Sequence, residues 1–173
     1  MTYEQWITAS TTWTCPKAGI WEIICVGGGA SGGPVVEKTL TQNPGGTTSF
    51  GSYLSAAGGQ KGSATNAGTA NPGGVGGYTG LDYGGAGYTI NSSPTKNGGG
   101  NASQGLGYGA GGGVIPSSST STNGFGGNCG ELKSITLDLT TNQQIACTIG
   151  AGGAAVTNST AGKAGCIHVR FIQ

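Results

Sequence analysis

The sequence predicts an all-β protein: a sandwich or jelly-roll-like frame of short strands holding an inserted bundle of extended, glycine-rich segments. Three observations lead there. Apolar residues alternate with polar ones in several short runs, which is the period of a half-buried strand, and helical periodicity is absent. Glycine supplies 39 of the 173 residues, and roughly a third of residues 58–130, far above ordinary usage. Charge is low, with seven basic and six acidic residues and a net charge of +1, so the glycine tract lacks the net charge that keeps disordered chains solvated. The length suits one domain, residues 1–173, with a strand frame at 1–57 and 131–173 and a glycine-rich insert at 58–130.

Taken in order, Trp6 and Trp13 bracket ITASTT, and the run to Cys15 reads as one short edge strand stopped by Pro16. Residues 20–26, IWEIICV, put Trp21, Ile23 and Cys25 on one face and Glu22, Ile24 and Val26 on the other, as in a central strand covered on both sides. GGGASGG follows, and Gly27, Gly29 and Gly32 match G-x-G-x-x-G directly after a strand. A dinucleotide site would need a helix next and an acidic residue about twenty positions on. Pro34 and Pro44 instead interrupt the segment, and no acidic residue lies between Glu37 and Asp82. Residues 47–56, TTSFGSYLSA, read as another strand with Phe50 and Leu54 inward.

The tract from 58 to 130 keeps no period of three and so is not collagen. Its regularly spaced aromatic and aliphatic residues also set it apart from a flexible spacer. An ordered glycine costs about 0.5–1 kcal/mol more backbone entropy than alanine, and this tract has few side chains to offset that by burial. Backbone hydrogen bonds at about 0.5–1.5 kcal/mol net each can do so, aided by Cα–H···O contacts. Polyproline-II-like segments packed side by side supply both. After the tract, residues 134–140 alternate with Ile135, Leu137 and Leu139 inward and Asp138 outward. Residues 144–149 repeat the pattern through Ile145, Cys147 and Ile149, and residues 166–172 alternate Ile167, Val169 and Phe171 against His168 and Arg170.

Several chemistries are excluded. The basic residues form no cluster for nucleic acid or an anionic membrane, and no apolar run approaches the length of a membrane helix. The opening MTYEQWITAS lacks a signal peptide's basic and apolar regions, so export by the usual secretory route is not expected. Cys15, Cys25, Cys129, Cys147 and Cys166 share no C-x-x-C spacing and have one histidine among them, which argues against zinc. Buried thiols acting as small hydrophobes fit the strand positions. No nucleophile, paired-carboxylate or metalloprotease motif is present, so no enzyme activity and no cofactor are expected; His168 reads as solvent-facing or locally satisfied. The candidate binding residues are Tyr78, Asp82, Tyr83, Tyr88, Tyr108 and Phe125, set among glycines. Tyrosine gives contact area for few rotors while small residues adapt. Packing of the same rings on the flanks of the glycine bundle is the alternative.

TWTCPKAGIWEIICVGGGASGG, TSFGSYLSAAGG, the glycine tract, GFGGNCGELKSITLDLTTNQQIACTIGAGG and AGKAGCIHVRF, in that order, resemble the glycine-rich domain near the tips of bacteriophage tail fibres. Residues 12–19 stand for that family's W-x-V-P-x-G opening, with Cys15 in place of the usual aliphatic residue. Residues 148–153 and 162–171 match its closing half. A more distant similarity runs to a glycine-rich domain of receptor-kinase ectodomains. The resemblance implies a β-sandwich frame around glycine helices, made in the host cytoplasm and placed on the virion. Its partners would be other virion proteins and a host-surface protein or glycan, with a homotrimer as one assembly. Family members usually end a long fibre, whereas Met1 here leads straight into the domain, so a separate attachment site on a virion protein is expected. A capsid or tail decoration is the alternative role, and a secreted matrix protein a weaker one.

Overall fold

The computed structural model describes residues 3–36, 39–61, 108–112, 124–125 and 127–173. They form strands β1 (Glu4–Ile7), β2 (Thr11–Thr14), β3 (Gly19–Val26), β4 (Gly33–Val36), β5 (Thr39–Leu40), β6 (Thr48–Phe50), β7 (Leu54–Ala56), β8 (Gly124–Phe125), β9 (Leu132–Leu139), β10 (Gln144–Thr148) and β11 (Cys166–Phe171). No helix occurs among the described residues. Every pairing is antiparallel. One four-stranded sheet has the order β1-β11-β3-β9, the second β2-β10-β6-β7, and a small third sheet β5-β4-β8.

The two large sheets share one core. On β3 the period of two buries Trp21, Ile23 and Cys25, and the register aligns them with Phe171, Val169 and Ile167 of β11. From the second sheet Trp13, Phe50, Ile145 and Cys147 fill the facing layer. The sheets meet where Trp13 lies edge-on to Trp21 at 5.3 Å, and within its own sheet Trp13 is tilted against Phe50 at 5.6 Å. Cys15, Cys25, Cys147 and Cys166 are buried and no disulfide joins the five cysteines.

Three expectations need correction. The stretch around Trp6 and Trp13 is two strands in different sheets, because Ile7 and Trp13 both bury into the core from opposite layers and the chain crosses between them at residues 8–10. Residues 47–56 form a hairpin, in which Gly51 takes φ +53° and returns the chain so that Phe50 pairs with Leu54. The second face of β3 is only partly covered: Glu22 pairs with Arg170 at 2.5 Å, and Ile24 is half-buried.

The frame has two distinct ends. Tyr3 and Gln173 lie together at one, where the Phe171 amide donates to the Tyr3 carbonyl and the Ile20 amide to that of Gln173. β3, β7 and β10 all run toward the other end and leave the frame there as glycine-rich segments.

Candidate functional site

Residues 27–32, GGGASG, leave β3 and become the axis of a backbone lattice. Their amides donate in a repeat of three. Gly27 and Ala30 bond the carbonyls of Glu131 and Asn128, Gly28 and Ser31 those of Gly46 and Asn43, and Gly29 and Gly32 those of Lys163 and Thr160, at 2.8–3.2 Å. In each pair the partner number falls as the axial number rises, so all three receiving segments run antiparallel to the axis. The carbonyls of Gly28, Gly29 and Ala30 accept from Gly59, Gly153 and Gly112. These three donating segments run parallel to it.

The surrounding segments also bond one another. Gly45 donates to Gly59, Glu131 to Ala57, Gly130 to Gly109, Gly109 to Ala164, Gly165 to Gly150 and Gly46 to Ala151. These bonds close a ring in the order 43–46, 57–59, 127–131, 109–112, 160–165, 150–153. Parallel and antiparallel segments alternate around it, so every neighbour of the axis is chemically matched to it.

Glycine is required by closeness of approach. A methyl on Gly27, Gly28 or Gly29 would sit on the carbonyl of Ala57, Ala151 or Ala110 respectively, nearer than real Cβ atoms come. Successive Cα atoms thus face the three parallel segments while the amides face the antiparallel ones. The GGGASGG run that imitates a nucleotide turn is therefore the centre of the lattice. The bundle also draws on 43–46, 150–153 and 160–165 from the frame, and not on the insert alone.

At the frame end of this lattice lies an aromatic seam. Tyr108, half-buried and next to Gly109, stacks near-parallel to Trp6 with ring centroids 5.8 Å apart. Trp6 stacks on His168, its cross-strand partner, at 4.2 Å and 7°. His168 Nε2 lies 2.6 Å from Glu4 Oε1, so the one histidine is locally satisfied. Sequence reasoning marked Trp6 only as the boundary of an edge strand and did not name Glu4; the signal was their alternation with Gln5 and Ile7 on a four-residue strand.

Of the other candidate residues, Phe125 lies in β8, where it pairs with Gly33. Tyr78, Asp82, Tyr83 and Tyr88 lie outside the described residues. The structure therefore brings Tyr108 to the frame and does not show the six candidates as one cluster.

Titration chemistry is sparse here. Burial pushes the Cys25 thiol up to about 12, with neighbouring Cys147 adding to it, and burial raises Cys147 to about 11. Both stay protonated and inert near neutrality. Glu131 is held below the usual carboxylate range by the Ala57 amide it accepts at 3.0 Å, and then by Lys133. No group of three or more His, Cys, Asp or Glu that could hold a metal ion occurs among the described residues. Comparison with protein-family models, curated proteins and solved structures found no match to this chain.

Proposed function

We propose that this is a non-enzymatic phage virion-surface protein, a receptor-binding adhesin at a tail-fibre tip that contacts a host-surface protein or glycan. In this reading the two sheets are a β-sandwich, jelly-roll-like frame. The axial segment and its six neighbours are polyproline-II-like threads, whose three residues per turn account for the repeat of three. One observation carries the proposal. Seven backbone threads, bonded from centre to ring and around the ring, form a stiff column on the frame. Threads 27–32, 109–112 and 150–153 end, and threads 43–46, 127–131 and 160–165 begin, at its far end. Tyr3 and Gln173 lie at the opposite end, so the turns at the column's far end face away from them. Connections on a rigid scaffold are where binding residues concentrate.

The test uses purified full-length protein on cells susceptible to the virus that encodes it. Saturable binding and competition with virus adsorption are expected, and no binding at micromolar concentration counts against the proposal. Deletion within residues 66–103 spares Tyr108 and the thread at 109–112. An adhesin so shortened assembles into particles but no longer supports adsorption. A shortened protein that assembles with adsorption undiminished is a decoration or spike.

A further inference from the structure

We draw no further inference here: the strongest candidate, the side-chain cluster of Glu4, Trp6, His168 and Tyr108 where the frame meets the lattice, belongs to the site already described, and nothing in the structure shows a ligand or partner that it would engage.

Discussion

Gly29→Ala tests whether the lattice is as close-packed as its hydrogen bonds describe. The added methyl would land on the carbonyl of Ala110 and within 2.7 Å of that of Gly109, both backbone atoms without a rotamer to yield. The segment at 109–112 must then move off the axis. Five backbone bonds hold it: Gly112 to Ala30, Gly109 to Ala164, and the bonds it receives from Gly127, Gly130 and Lys163. At about 0.5–1.5 kcal/mol net each, displacing the thread costs about 3–7 kcal/mol, against a typical domain stability of about 5–15 kcal/mol. Gly46→Ala is the control. Its methyl would come no nearer than 3.0 Å to its neighbours, and stiffening the unfolded chain offsets about 0.4–1 kcal/mol, so a change within about 1 kcal/mol is expected. Urea unfolding followed by tryptophan fluorescence, with amide exchange at Gly109 and Gly112, reads both variants. Gly29→Ala within about 1 kcal/mol of wild type, with protection at those amides unchanged, refutes the close packing.

Two further predictions concern the frame. Trp6→Ala removes the ring between Tyr108 and His168; with aromatic pairs contributing about 0.5–1.5 kcal/mol each beyond area burial, a loss of about 1–3 kcal/mol is expected, and amide exchange at Gly109 should accelerate more than at Ile23. Cys25 and Cys147 ionise in the fold only at about 12 and about 11, against 9.0 for an ordinary thiol. Raised folded values mean that their contribution is complete below pH 9.0 and lost as pH rises toward 12. Stability should therefore fall through that window in wild type and fall less in Cys25→Ala, and mass spectrometry should find neither thiol alkylated at pH 8 until the protein is unfolded.

The strands were legible because a side chain reports its own face. Trp21, Ile23 and Cys25 alternate with Glu22 and Ile24 whatever lies above them, and Ile145, Cys147, Ile167 and Val169 do the same. Breaks between short strands were less legible. The crossing at residues 8–10 and the turn at Gly51 depend on which sheet each half joins. Of the candidate site, Tyr108 was marked by its glycine setting, but its contact with Trp6 joins residues about a hundred positions apart.

The amino-acid sequence by itself determined that the frame is built from strands and that the described glycine-rich segments must find their stability in backbone bonds, since too few side chains remain to bury. Only the tertiary structure decided that residues 27–32 form the axis and which six segments surround them. A thread without side chains carries no pattern naming its neighbours. Its amides and carbonyls are alike at every position, so the partners are chosen by where the frame strands release each segment.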